Sequence, residues 1–307
     1  MRGAPEFLPK ENVDVVIYHS PCNDGHACAA LFYHYNPKIM LVGLHPKDIF
    51  FSSSDREDLI KDKNVVFTDI AFDKETMTRA ASLAKKILIL DHHITNKTTL
   101  GSIDLENVLP VFVMDLAGVC ITWDYLYPTS RIPAPLYYIG LKDVWKHEND
   151  EDALYFTTAF DRPDTLEDWA PYISTTHENH YNFTASTIQT GKIIYDYNQS
   201  VLKTLMQKVQ CTTWRGYQIA MVNVPYPFIS DIGAQMCEND PKNTIAVVWN
   251  KPPTGPYSVS LRSNNPDGPD IEAIALEFKG GGHKHGAGLK LDKPPFEVFI
   301  DDGHVFE

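Results

Sequence analysis

Cysteine is sparse in this chain: five residues in 307, Cys22, Cys28, Cys120, Cys211 and Cys237, scattered, odd in number and without paired spacing. That excludes a disulfide-stapled secreted module and points to a reducing compartment, the cytoplasm. Long apolar runs are missing too. No stretch approaches the length that crosses a bilayer, and the start lacks the basic, apolar and small-residue order of a secretory signal, so no membrane partner is expected. The segment Met1–Pro9 reads as foreign to the fold and is set aside, which leaves a lost organelle-targeting peptide open. Positive charge is in deficit: 27 Lys and Arg against 40 Asp and Glu give a net charge of −13. Long-range attraction to duplex DNA calls for a basic face, so no duplex partner is expected. Internal repeats and low-complexity segments are absent as well. What remains is 43% hydrophobic content with 11% aromatics, enough to build two cored domains.

Three short apolar runs end abruptly in side chains able to bind metal. Ile87-Leu88-Ile89-Leu90 runs into Asp91-His92-His93, Asp14–Tyr18 into His19-Ser20-Pro21-Cys22-Asn23-Asp24-Gly25, and Asn64–Thr68 into Asp69-Ile70. Each reads as a buried strand, and helical stretches of crossover length separate them. Right-handed βαβ connections put the three tips on one edge of one sheet, where open α/β sheets gather their ligands. Taken singly, Asp24 is a helix cap and Asp91-His92-His93 is a cap with two surface histidines. Three such tips on one edge are hard to explain by capping alone.

The rest of the chain follows the same alternation. Helices are expected at Asp24–Tyr35, closed by Pro37, and at Asp73–Ala84, Gly118–Tyr127 and Pro135–Val144; a further strand is expected at Leu109–Met114. Asp143 sits at the end of the last of these helices, where a carboxylate opposes the helix dipole. Residues 150–183 read as acidic, aromatic turns with one short helix near Asp164–Ile173. Ala185–Gln210 is amphipathic through Ile188, Ile193, Ile194, Tyr197, Val201 and Leu205, and suits an inter-domain helix. After Thr213 come strands at Tyr217–Val224, Thr244–Trp249 and Tyr257–Arg262, helices at Ile229–Cys237 and Ile271–Phe278, a glycine-rich run from Gly280 to Gly288, and a final strand at Leu289–Leu291. The expected fold is α/β with two domains: an N-terminal parallel-sheet domain (12–184) and a smaller C-terminal α/β domain (213–301), joined by a long helix (185–212).

Gly280, Gly281 and Gly282 let the backbone approach a ligand and present N–H groups to an anion, while His283 and Arg262 add donors suited to phosphate. Read alone, the same glycines are a mobile turn. Lys284, His285, His147 and the remaining histidines read as surface residues.

Taken together and in order, these motifs resemble the DHH phosphoesterase superfamily, in particular members with an associated C-terminal domain carrying a Gly-Gly-Gly-His motif. His19–Gly25 matches the first motif, Asp69 the second, Asp91-His92-His93 the third and Asp143 the fourth; Ser260–Ser263 and Gly280–Gly288 match the C-terminal signature. The resemblance implies two divalent ions, usually manganese, with magnesium or zinc as alternatives. It implies that Asp24, Asp69, His92 and Asp143 hold one ion and that Asp69 bridges to a second near His19, with Asp91 in the same ligand group. His92, His93 and His283 would serve at the reacting phosphate, and His283 with Arg262 and Gly280–Gly282 would also bind substrate. One position departs from the pattern: many relatives place an aspartate two residues before Asp24, and this chain has Cys22. A thiolate there is a softer ligand that favours zinc or iron; a packed thiol is the other reading.

The activity so implied is metal-dependent hydrolysis of phosphodiester or phosphomonoester bonds in short oligonucleotides, dinucleotides or nucleotide 3′-phosphates, in a cleft between the domains. Two ions sharing a carboxylate suit that chemistry because they neutralise charge on both attacking and leaving oxygens. A single-strand exonuclease is the enzymatic rival, and it wants a basic groove with stacking aromatics. A non-catalytic nucleic-acid-binding scaffold is the rival of another class. Either way a short oligonucleotide or nucleotide is the expected partner, and a homodimer is allowed.

Overall fold

A computed structural model describes residues 3–174, 177–239, 244–265 and 268–301, with the backbone alone at 177–180 and 239. The chain divides into two compact units, Met1–Tyr195 and Asp196–Glu307.

The first unit is built on a five-stranded parallel sheet of β1 (Val15–His19), β2 (Met40–Leu44), β3 (Asn64–Thr68), β4 (Lys86–Asp91) and β5 (Val108–Phe112) in the order β2-β1-β3-β4-β5. Side chains alternate across a strand, and this sheet buries both faces. Val16, Val66, Leu88 and Leu90 pack on one side against Ala27, Leu31, Val119 and Trp123, from the helices Asn23–Tyr35 and Gly118–Leu126. Ile17, Val65, Phe67, Ile87 and Ile89 pack on the other against Met77, Ala80 and Leu100. The strand order reverses between β1 and β3, so their carboxyl ends flank the crevice where such sheets bind ligands.

The second unit holds six strands, β6 (Gln210–Trp214), β7 (Tyr217–Asn223), β8 (Thr244–Asn250), β9 (Tyr257–Arg262), β10 (Gly281–His283) and β11 (Gly286–Leu291), in the order β10-β11-β9-β8-β7-β6. Among the described residues of this unit, only β7 and β8 pair in parallel. One face carries Ile219, Val247, Leu261 and Leu289 over Ile271 and Phe299, the other Ala220, Val222, Ala246 and Val248 over Ile232 and Met236. The helix His177–Met206 runs through the boundary between the units: Phe183 and Ile188 pack on the first core, Leu202 lies in a core of the second.

The structure departs from the sequence reading at several places. Of Met1–Pro9, residues 1 and 2 lie outside the described residues; Ala4 and Leu8 are buried, and Leu8 accepts a hydrogen bond from Tyr125 Oη on its carbonyl at 2.8 Å, so residues 3–9 belong to the fold. A helix at Glu151–Ala159, capped by Asp150 onto the Ala153 N–H, occupies what read as turns. The glycine-rich run is the hairpin of β10 and β11. His147 is buried, 2% exposed, and pairs with Lys142; it is not a surface histidine.

Candidate metal centre

At the C-terminal edge of the parallel sheet the strand tips converge. His19 ends β1, Asp69 follows β3, and Asp91 closes β4 with His92 and His93 behind it. Asp69 takes a left-handed backbone, φ 58°, which Asp tolerates better than most residues and which turns its side chain inward. Its carboxylate is 1% exposed and lies between two imidazoles, Oδ2 at 3.3 Å from His19 Nδ1 and Oδ1 at 3.1 Å from His92 Nε2. His92 Nε2 also lies 3.8 Å from Asp24 Oδ2 and 3.3 Å from Asp143 Oδ2. Asp143, the last residue of the helix Ala134–Asp143, therefore has its reason for facing the wrong end of the dipole.

Ligand atoms gather into three sets, each within 4.8 Å: Asp24, His92 and Asp143; His19, Cys22 and Asp69; and Asp69, Asp91, His92 and His93. All seven residues named as metal ligands from the sequence are thus in one place. Asp91 differs from the others in how fully it is engaged. It accepts hydrogen bonds from the His92 and His93 N–H groups, from His93 Nδ1 at 2.7 Å and from Asn96 Nδ2 at 2.6 Å. Arg262, Gly280, Gly281, Gly282 and His283 all belong to the second unit. There the register puts His283, Gly286 and Arg262 in one row across β10, β11 and β9, so the side chains of His283 and Arg262 share a face with only a glycine between them. Arg262 donates to Ser230 Oγ, while its Nε is buried without a partner among the described residues. His283 is exposed.

The electrostatics of the cluster fit a cation. Burial, with Asp69 and Asp143 adding to it, pushes the Asp24 carboxyl well above the usual range; burial and Asp69 also raise Asp143. Burial works against Asp69 too, but hydrogen bonds from His19 and His92 outweigh it and hold its carboxyl at about 2. The His93 imidazole is raised to about 9 by its hydrogen bond to Asp91. Burial, then Asp69, raises the Cys22 thiol to about 12. Carboxylates this close stay ionised together only beside positive charge, and oxygen donors mixed with imidazoles suit a divalent first-row ion. Cys22 adds one soft donor on the His19 side.

Two solved structures share this architecture. One is an exonuclease RecJ bound to manganese, at TM-score 0.53 and 12% identity over 97% of this chain and 92% of that one. The other is the DHH domain of a member of the s1p family of ribosomal proteins, at TM-score 0.51 and 15% identity over 94% and 85%. The fold is that of DHH proteins. By sequence, the chain is 27% identical over 319 residues to an uncharacterized protein of Acanthamoeba polyphaga mimivirus, covering 96% of this chain and 72% of the relative. No family model matches the chain.

Beside the strand tips, the cluster uses groups that sequence reading passed over. Asp24 does not cap its own helix: its oxygens accept from the backbone N–H groups of Gly118 at 2.6 Å and Val119 at 2.8 Å, the start of another helix. A Cβ on Gly118 would meet Asp69 Cβ at 2.8 Å and Asp24 Oδ2 at 2.9 Å, and one on Gly25 would meet the His19 carbonyl at 2.2 Å. The signal for Gly118 was a glycine opening an otherwise apolar helix, where a side chain would have served as well. Asn96, five residues beyond Asp91, carried no signal.

Proposed function

We propose that the protein is a divalent-metal-dependent phosphoesterase that hydrolyses phosphodiester or phosphomonoester bonds of short oligonucleotides, dinucleotides or nucleotide 3′-phosphates, with manganese as its preferred ion. The observation that carries this reading is the Asp69 carboxylate, buried at a strand tip with one oxygen directed to His19 and the other to His92. On this reading Asp24, Asp69, His92 and Asp143 would hold one ion, and Asp69, His19 and Cys22 would hold the other. Bound ions would supply charge neutralisation at the phosphoryl group and a water of lowered pKa.

The chain's own groups do the rest. Asp91 accepts the Nδ1 proton of His93, which fixes the ring and leaves Nε2 to donate to a phosphoryl oxygen. The N–H groups of Gly118 and Val119 hold both Asp24 oxygens and so keep the ligand from turning away. In the second unit, Arg262 and His283 across Gly286 form a row of donors for a substrate phosphate.

A hydrolysis panel tests the reading: a dinucleotide, a longer oligonucleotide, a nucleotide 3′,5′-bisphosphate and polyphosphate, each with manganese, magnesium or zinc. Manganese-dependent turnover of the dinucleotide or bisphosphate is expected, and no hydrolysis of any phosphate ester with any ion defeats it.

A further inference from the structure

The metal cluster is one wall of a larger space. On the Asp69–His93 side a cavity of about 460 Å³ opens between the segment after β2, the segment after β3 and the helix Ile94–Leu100. Its polar wall is set by Lys47, Asp48, Thr95, Asn96 and Thr99, none of which belongs to the ligand sets.

The donors and acceptors left over in this wall define an occupant. Asp73 is spent on capping, both oxygens taken by Thr76. Asp48 gives one oxygen to the His45 N–H and keeps the other, and Asn96 gives its amide N–H to Asp91 and keeps its carbonyl. No partner is recorded for the Lys47 ammonium or the Thr95 hydroxyl among the described residues. Thr99 spends its proton on the Thr95 carbonyl and keeps lone pairs. Three carboxylates, Asp48, Asp69 and Asp73, face one lysine and His93 here. With Asp69 given to the ions, Asp48 and Asp73 still offset Lys47 and His93, so a second phosphate finds no net positive charge in the rest of the wall. A neutral polyhydroxyl group would find acceptors at Asp48, Asn96 and Thr99 and donors at Lys47 and Thr95.

We infer that this cavity binds the sugar of the nucleoside attached to the reacting phosphate, with Lys47, Asp48, Thr95 and Thr99 as specificity-determining residues. The inference rests on the phosphoesterase reading for the placement of that phosphate at Asp69 and His93. The volume admits a ribose together with part of its base.

The test is equilibrium binding to the manganese-loaded full chain, measured by calorimetry with ribose 5-phosphate and with methyl phosphate, which carries the same phosphate and no sugar. The sugar phosphate is expected to bind at least about tenfold more tightly, and Thr95→Leu/Thr99→Leu, which fills the cavity from exposed helix positions, should reduce that gap to about twofold or less. Lys47→Met, on a different segment, should narrow it in the same direction. Equal affinities in the parent, or a gap unchanged in both variants, overturns the inference. Hydrolysis of a dinucleotide separates this outcome from the wider reading. A sugar preference without any hydrolysis keeps the cavity and defeats the phosphoesterase, whereas hydrolysis without a sugar preference does the reverse.

Discussion

Asp69 is the residue on which the site turns, and both its placement and its chemistry can be tested by one atom's change. Its left-handed φ of 58° is tolerated by Asp and Asn but strained for Ala, so Asp69→Ala mixes backbone strain with loss of charge. Asp69→Asn keeps the backbone preference and the shape. It should keep the fold, lose manganese binding at both ion positions and lower hydrolysis by a factor of about a thousand or more, since a bridging carboxylate serves two ions at once. Metal content and turnover measured on the same sample decide it; near-normal activity in a folded, metal-loaded Asp69→Asn protein removes the two-ion assignment. The residue scale is also where the sequence was most legible. His19, Cys22, Asp24, Asp69, Asp91 and His92 stood out at or just beyond strand endings and Asp143 at the end of a helix, the resemblance made them a ligand set, and they lie together. What could not be read was the partner of Asp24, because a bond to the N–H of Gly118 spans 94 positions and leaves no local pattern.

At the scale of elements, the parallel strands announced themselves and several short pieces did not. Val15–His19, Asn64–Thr68 and Lys86–Asp91 are β-branched or aliphatic and buried on both faces, which makes them continuous apolar runs. The helix Glu151–Ala159 carries a clear start signal in Asp150, yet its Tyr, Phe and Thr content reads as turn or strand, and only packing of Ala153 and Phe156 in the core makes it a helix. Strand β6 is a polar edge strand, Gln-Cys-Thr-Thr-Trp, with one face exposed and no strand beyond it among the described residues. The element with most bearing on the site is the helix Gly118–Leu126, whose first N–H groups hold Asp24. Gly118→Ala keeps helix propensity but puts a methyl 2.8 Å from Asp69 Cβ and 2.9 Å from Asp24 Oδ2. Overpacking of this kind costs about 1–3 kcal/mol, and here the atoms that give way belong to the proposed ligands Asp24 and Asp69. Manganese affinity should fall about tenfold or more, with a lower melting temperature in the metal-free protein as well. Calorimetry with manganese checks this, and an unchanged affinity would show that the helix start does not set the ligand geometry.

For the whole molecule, two units were legible from the restart of the strand pattern after Thr213, whereas the order of strands was not, because crossovers and not local residues decide which neighbours pair. All proposed metal ligands lie in the first unit and Arg262 and His283 in the second, so the two should respond differently to the same treatments. Manganese should slow amide exchange at residues 19–25, 69–71, 91–96 and 117–120 and leave β7 and β8 unchanged, since binding stabilises the segments that contact the ion. Exchange measured with manganese and with chelator checks it, and uniform protection over both units would count against a site confined to the first. Substrate length gives the complementary test. Arg262 has a guanidinium on β9 in the same row as His283, and loss of a charge-assisted phosphate contact costs about 1.5–3 kcal/mol. Arg262→Ala should therefore lower kcat/KM on a dinucleotide roughly ten- to hundredfold while leaving manganese content at the parent value. On the proposed reading one phosphate goes to the metal cluster and another to Arg262, and a longer tail then meets a chain of net charge −13 and gains nothing. Efficiency should be highest at two to a few nucleotides and fall beyond. Measured across a length series for parent and variant, a parent that improves steadily with length, or an Arg262→Ala protein with parental kinetics at every length, would show that the second unit does not hold the substrate's phosphate.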